Sequence, residues 1–434
     1  VTVSASPSIH IVTLGCPKNE VDSDRMRASL GAAGARLTDD PSGADVVIVN
    51  TCAFIEAATE ESIAAVLELA ADERSRKRGR RLIVTGCMPS RYGDELAAAL
   101  TEADAFVPVA EEASVVEVVS ALLGTPLRPA AGAPERTAQS PYAYLQLSDG
   151  CHRRCAYCTI PAIRGPYRSR PVDAVLAEAR LLIAGGAREL VLIGQDVTAY
   201  GRDRDDGLEL PDVLEAVADL EGADRVRLMY AQPDGVSDRL LQVMANLPAV
   251  CHYLDMPLQH ASAGVLRAMR RGGDAEAFLD LIGRIRAAMP DVSLRSTVIV
   301  GFPGETEADV AELLAFVREA AFDHLGVFMY SAEEGTPAAE MADQVAEDDK
   351  VERFQRVRDV ADAVGHARAA EKIGKELMVL IDGVDEDGET TGRTCGQAPD
   401  IDGVVLFADA PEAGTLTKVR ITDSIGYDLV GEVL

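Results

Sequence analysis

Tryptophan is absent from the 434 residues, aromatic residues make up only 4%, and cations are scarce: Lys and Arg total 42 against 71 Asp and Glu, a formal charge of −29. So acidic a chain is a poor general binder of nucleic acid, because phosphate contact needs a dense cationic surface. It favours basic partners instead. No run of 18 or more uncharged apolar residues occurs, which excludes a helical membrane span. The segment Val1 to Ser8 lacks a basic stretch followed by an apolar one and does not read as a secretory signal. Eight cysteines in so long a chain do not make a secreted disulfide scaffold. In the cytoplasm, the expected compartment, they are reduced, and clustered ones serve metal or redox chemistry. With 47% apolar residues the chain is globular, and its length predicts about three domains.

The fold class expected is α/β. In residues 8–125, three short β-branched runs, Ile9 to Leu14, Asp45 to Thr51 and Arg81 to Gly86, alternate with helical patterns at Asp22 to Ala33 and Glu56 to Arg78. Unbroken runs of this kind belong to parallel strands buried on both faces, so an open parallel sheet is predicted. Residues 126–141, rich in Pro, Ala and Gly, read as a linker. Residues 142–343 carry six strand-like runs: 143–147, 190–193, 226–229, 253–256, 294–300 and 325–329. Helical segments at 172–184, 212–220, 237–246, 275–288 and 307–320 separate them. Six βα units are too few for a complete eightfold barrel and predict a partial one, with its site at the carboxyl ends of the strands. A charged connecting helix, 344–372, leads to a block at 373–434. There, runs at 377–381, 403–406, 416–422 and 427–430, with a turn at Asp387-Gly388, predict a small antiparallel barrel.

The sharpest motif is Cys151-His-Arg-Arg-Cys155-Ala-Tyr-Cys158, just after the first barrel strand. Three thiolates at this spacing can ligate three irons of a 4Fe–4S cluster and leave the fourth open. A zinc site on these cysteines with His152 is the competing reading, but structural zinc prefers two separated ligand pairs. A second trio, Cys16, Cys52 and Cys87, follows the ends of the three predicted strands of the first block. In an open parallel sheet those ends share one edge, where ligands bind. Three thiols distant in sequence thus meet at one rim, and a second 4Fe–4S cluster follows. Three unrelated core cysteines are the alternative, since free cysteine is often buried.

The first motif resembles the radical S-adenosylmethionine superfamily. The resemblance implies that the open iron chelates S-adenosylmethionine, that one electron cleaves the sulfonium to a 5′-deoxyadenosyl radical, and that Tyr157 lies against the adenine. It also implies cofactor contacts at Gly185 and Gly186, with Glu189 displaced from the family's Gly-Gly-Glu pattern, and at Gly301 and Glu305 of Gly301-Phe-Pro-Gly-Glu305. Taken with the second trio, the domain order resembles the methylthiotransferases over nearly the whole chain. Leu14 to Ser23, Asn50 to Glu56, Tyr144 to Cys151, Ile160 to Gly165 and Pro257 to Ser262 are closest to the branch that modifies an aspartate of small-subunit ribosomal protein twelve. The sister branch, which modifies an adenosine of transfer RNA, carries Gln and Met where this chain has Pro17 and Lys18, although Ile193-Gly-Gln-Asp-Val197 is nearer to it. The implied reaction takes a hydrogen from the aspartate β-carbon, delivers sulfur from the cluster on Cys16, Cys52 and Cys87, and methylates it from a second S-adenosylmethionine. Both open irons then face one cavity, and an external electron donor is required. A non-catalytic electron carrier or metal-stabilised binding module is the reading from another class.

The last block resembles a TRAM domain, a module that often binds RNA. Yet residues 371–434 hold five basic and fourteen acidic residues, a balance of −9. That opposes phosphate contact and suits a basic ribosomal protein, free or on the ribosome, better than transfer RNA. A basic run, Arg74, Arg76, Lys77, Arg78, Arg80 and Arg81, fits a solvated helix end or a contact with ribosomal RNA. Cys251 and Cys395 have no partners in sequence, and His260 reads either as a general base or as a packed core histidine. No catalytic acid or base is assigned.

Overall fold

The structure is a computed structural model that describes residues 6–72, 79–128, 135–384, 388–408 and 411–434. The basic residues 74–78, the middle of the linker and Asp387 of the expected turn lie outside the described residues. The chain forms two compact units, one of residues 1–137, 149–153 and 158–167, the other of residues 138–148, 154–157 and 168–434.

The first unit is built on a five-stranded sheet in the order Arg36–Leu37, Ser8–Thr13, Val46–Thr51, Arg81–Gly86, Ala105–Pro108, with every neighbouring pair parallel. All six residues of Val46–Thr51 are buried, as the unbroken apolar run requires. Alternation divides them between two cores. Val47, Val49, Leu82 and Val84 pack with Val66 and Leu96, whereas Val46, Ile48 and Ile83 pack with Met26, Leu30 and Val119. Helix Pro17–Ala32 starts with proline at its first position, where a missing N–H costs nothing. The short strands Arg36–Leu37 and Ala105–Pro108, and the helices Cys87–Ala99 and Val115–Leu123, carry too little pattern to be read from sequence.

In the second unit six strands lie in chain order: Tyr142–Gln146, Glu189–Ile193, Arg225–Leu228, Val250–Gln259, Ser293–Val300 and His324–Met329. All neighbours are parallel and the sheet stays open, the expected partial barrel. Helices Val172–Ala184, Ala275–Ala288 and Glu307–Ala320 begin and end where their apolar periodicity does. The last begins with a capping box between Thr306 and Asp309.

Helix Glu347–Ala370 leads to a closed five-stranded barrel. One correction applies there: Val405–Phe407 pairs with Asp428–Val433 in parallel, and the barrel is antiparallel at its other four seams. Its connection 394–402 meets the inner face of the open sheet. Arg225 donates to the carbonyls of Arg393 and Met378, and Arg227 to that of Cys395. Tyr142 and Tyr144 both donate to Asp400, and Tyr253 donates to Asp402.

Candidate metal and cofactor sites

Strands Ser8–Thr13, Val46–Thr51 and Arg81–Gly86 are neighbours in register, so the chain leaves all three at one edge. Cys16 precedes helix Pro17–Ala32, Cys52 follows Thr51 directly, and Cys87 opens helix Cys87–Ala99. Asn19, wholly buried, ties these loops together. Its Nδ2 donates to the carbonyls of Leu14 (2.8 Å) and Thr51 (3.0 Å). Its Oδ1 lies 4.0 Å from Cys16 Sγ and 3.7 Å from Cys87 Sγ, so two distant thiols share one acceptor. A Cβ on Gly15 would stand 3.0 Å from Cys52 Sγ, which places the third thiol against the Cys16 loop. Gly86 has φ +94°, and a Cβ there would lie 2.7 Å from the Thr51 carbonyl, so the Cys87 turn admits only glycine without a shift.

Burial pushes the Cys52 thiol up and the Cys87 thiol up to about 12. Ionising them requires a nearby cation, and one is present. Arg164 donates from Nη2 to Asn19 Oδ1 (2.9 Å) and Asp22 Oδ2 (2.8 Å), and that nitrogen is 4.0 Å from Cys87 Sγ. Among the described residues no three His, Cys, Asp or Glu side chains are placed to hold a single metal ion. A multi-iron cluster is larger and needs more widely spaced sulfurs. Three thiols at one edge beside a buried cation fit such an anionic group.

Cys151 and Cys158 fall in the first unit, while Cys155 and Tyr157 fall in the second; all three cysteines are half-buried. The Cys151 N–H donates to the Gly165 carbonyl (3.2 Å), and Arg153 N donates to Cys151 Sγ (3.4 Å). Gly150, with φ +72°, has no room for a Cβ, which would lie 2.6 Å from the Gly165 carbonyl. In the second unit Arg271 Nη1 is 3.7 Å from Cys155 Sγ, and its Nη2 is fixed by Gln232 Oε1 (2.7 Å) and the Pro257 carbonyl (2.8 Å). Tyr157 packs against an apolar cluster containing Ala156, Met269, Phe302 and Tyr330.

Gly301, with φ +75°, follows strand Ser293–Val300 and donates its N–H to Glu305 Oε2 (2.8 Å). The same oxygen accepts from Arg353 Nη1 (2.7 Å), and Oε1 is paired with His260 Nε2 (3.2 Å). Glu305 therefore braces the Gly301 loop through Oε2 and ties it to His260 through Oε1. His260 Nδ1 accepts from Ser262 N (2.9 Å), which puts its proton on the nitrogen facing Glu305. It is a packed histidine with no free nitrogen.

Gly185 and Gly186 are not brought to this edge. They end helix Val172–Ala184 and enter strand Glu189–Ile193 from its amino end, whereas the cysteine loop follows the carboxyl end of Tyr142–Gln146. Glu189 itself is buried in an ion cluster with Arg227 and Arg393. The glycine at the carboxyl end is Gly194, where a Cβ would lie 2.6 Å from Ser148 Oγ, followed by Gln195 and the buried Asp196. The signal for it was its place directly after a buried strand. Cys251 and Cys395, unrelated in sequence, are hydrogen-bonded partners: that bond holds Cys395 down to about 6 and raises Cys251.

Residues 8–108 match a family described as Uncharacterized protein family UPF0004, residues 145–317 the Radical SAM superfamily, and residues 373–434 the TRAM domain. The chain is 45% identical to the ribosomal protein uS12 methylthiotransferase RimO of Geobacter sulfurreducens, covering 99% of each chain. It is 44% identical to the protein of that name from Geotalea uraniireducens, covering 100% of each. Among solved structures it resembles the radical S-adenosylmethionine methyltransferase TsrM of Kitasatospora setae, with TM-score 0.55, 14% identity and 77% of each chain covered. The cobalamin-dependent enzyme OxsB gives TM-score 0.53 at 11% identity, covering 82% of this chain and 56% of that one. At such identities these two structures speak for the fold alone.

Proposed function

The chain belongs to the RimO family of ribosomal protein methylthiotransferases, and from that membership we propose that it attaches a methylthio group to ribosomal protein uS12 by radical chemistry on S-adenosylmethionine. The observation that carries the reading is 45% identity over 99% of both chains. The target is the β-carbon of an aspartate, a C–H bond too inert for acid–base chemistry. Cys151, Cys155 and Cys158 would hold one iron–sulfur cluster, which would supply the electron needed to split S-adenosylmethionine, and Cys16, Cys52 and Cys87 would hold a second, which would supply the sulfur site.

The protein's own residues hold and orient these groups. Asn19 sets the Cys16 and Cys87 thiols, and Arg271 sets Cys155. Tyr157 presents an aromatic wall supported by Phe302 and Tyr330, and the Gly301 loop, braced by Glu305, lines the cofactor site. Residues 8–125 act as the sulfur-bearing domain, 142–343 as the radical domain, and 373–434 as the substrate-facing module. The acidic last block draws in a basic protein, and an external reductant of the cytoplasm delivers the electrons. No helix among the described residues is long and apolar enough to cross a membrane.

The test is anaerobic incubation of iron-reconstituted enzyme with S-adenosylmethionine, dithionite, and either uS12 or unmodified transfer RNA, followed by mass spectrometry. A methylthio increment on an aspartate of uS12 is expected. An increment on transfer RNA with uS12 unchanged would overturn the assignment, and no 5′-deoxyadenosine under these conditions would favour a carrier or binding module.

A further inference from the structure

We propose that Arg164 is a positioning residue for the Cys16, Cys52 and Cys87 site: its buried guanidinium offsets the negative charge of the thiolates and holds the reduction potential of the cluster they carry above the value it would otherwise have. This inference rests on the reading that those cysteines bind a cluster.

The Arg164 side chain is 2% exposed, on the short helix Ile160–Arg164 that follows Cys158. A guanidinium so placed needs countercharge, and the acids around it are Asp22, 2.8 Å from Nη2, Asp149, 3.5 Å from Nη1, and the buried Glu112, whose carboxyl burial pushes up. Arg25 competes for Asp22 at 3.9 Å. Asn19 Oδ1, the atom shared by the Cys16 and Cys87 thiols, accepts from the same Arg164 nitrogen. That nitrogen also lies within N–H···S range of Cys87 Sγ at 4.0 Å. One nitrogen therefore touches the amide that orders two thiols, a carboxylate and a thiol directly.

Neighbouring Ile163 is packed in the apolar core with Cys87, Met88 and Val49, and Thr159 Oγ1 donates to the Phe54 carbonyl (3.3 Å), two residues beyond Cys52. Both contacts fix the short helix against the loops of the trio. Cluster potentials respond to net charge, to hydrogen bonds on sulfur and to solvent exposure. A cation at this distance in a site of low dielectric stabilises the reduced, more negative state.

The experiment uses the full chain with Cys151, Cys155 and Cys158 replaced by alanine, so that only the other site can load. It is reconstituted anaerobically with iron and sulfide and titrated with dithionite under electron paramagnetic resonance. In this background Arg164→Gln is expected to shift the midpoint potential downward at unchanged iron content, and Arg164→Lys to restore most of it. Asp22→Asn, which removes a counter-anion of Arg164, is expected to shift the potential upward, and serves if Arg164→Gln does not fold. Equal potentials in parent, Arg164→Gln and Asp22→Asn would overturn the role given to Arg164. A parent that binds no iron would instead overturn the cluster reading, and the inference with it.

Discussion

Arg227 Nε donates to Glu189 Oε1 at 2.6 Å with both side chains wholly excluded from water. Glu189 Oε2 meets Arg393 of the C-terminal barrel at 3.1 Å, so one carboxylate joins two modules. Burial alone would raise this carboxyl, but Arg227, Arg393 and Arg225 outweigh it and hold Glu189 down at about 2. Removing one member of such a cluster leaves buried charge uncompensated. Glu189→Ala is expected to destabilise the protein by about 3–5 kcal/mol, read from urea unfolding at neutral pH.

The same carboxylate sets an acid limit. Its folded pKa lies below the ordinary value of 4.5, so its contribution is complete above that value and is lost as pH falls through about 2. Wild-type stability should therefore decline with acid between about pH 4.5 and 2 more steeply than that of Glu189→Gln. Equal slopes in parallel urea titrations would contradict the assignment.

Cys52→Ala and Cys155→Ala each remove one thiol from a different proposed cluster site. Each variant should bind half the iron and acid-labile sulfide of the parent after reconstitution, and the double variant should bind almost none. If one substitution alone abolished all iron, the two sites would not be independent.

Gly150 stands before Cys151 in a conformation that leaves no space for a methyl group against Gly165 and Pro166. Gly150→Ala should cost more than about 1 kcal/mol of stability and displace Cys151. Loss of iron from the Cys151 site, measured in a chain lacking Cys16, Cys52 and Cys87, checks it.

Arg271→Leu removes the donor facing Cys155 together with its anchors on Gln232 and Pro257. Formation of 5′-deoxyadenosine is expected to slow by about tenfold, equivalent to ~1.4 kcal/mol. An unchanged rate at full iron loading would count against a role for this side chain.

The strands were legible wherever burial on both faces demanded continuous β-branched runs, as in Val46–Thr51. Three helices were legible to the residue from their apolar periodicity, and two of them carry a side-chain cap at the start, on Asp274 and Thr306. Thr390–Thr394 was not, since Thr-Thr-Gly-Arg-Thr has neither alternation nor a long apolar run, and its place is set by pairing with Glu376–Val384 and Val405–Phe407. The trio of Cys151, Cys155 and Cys158 stood out by its spacing, and that of Cys16, Cys52 and Cys87 by its place at the ends of three strands. Arg164 and Asn19 did not, because an arginine or asparagine gains meaning only from its distance to groups remote in sequence. Gly185-Gly186 was singled out by resemblance to a Gly-Gly-Glu pattern, whereas the glycine at the carboxyl end of strand Glu189–Ile193 is Gly194.

The loop 394–402 acts as a floor for the half-open barrel, and this makes the last 60 or so residues a poor candidate for simple deletion. Cutting the chain after helix Glu347–Ala370 would strip Arg225 and Arg227 of their carbonyl acceptors and leave Tyr142, Tyr144 and Tyr253 with hydroxyls facing water. A truncated protein would lose the seal at its base along with any docking surface, so weak activity in such a fragment would report on plumbing before it reported on substrate recognition.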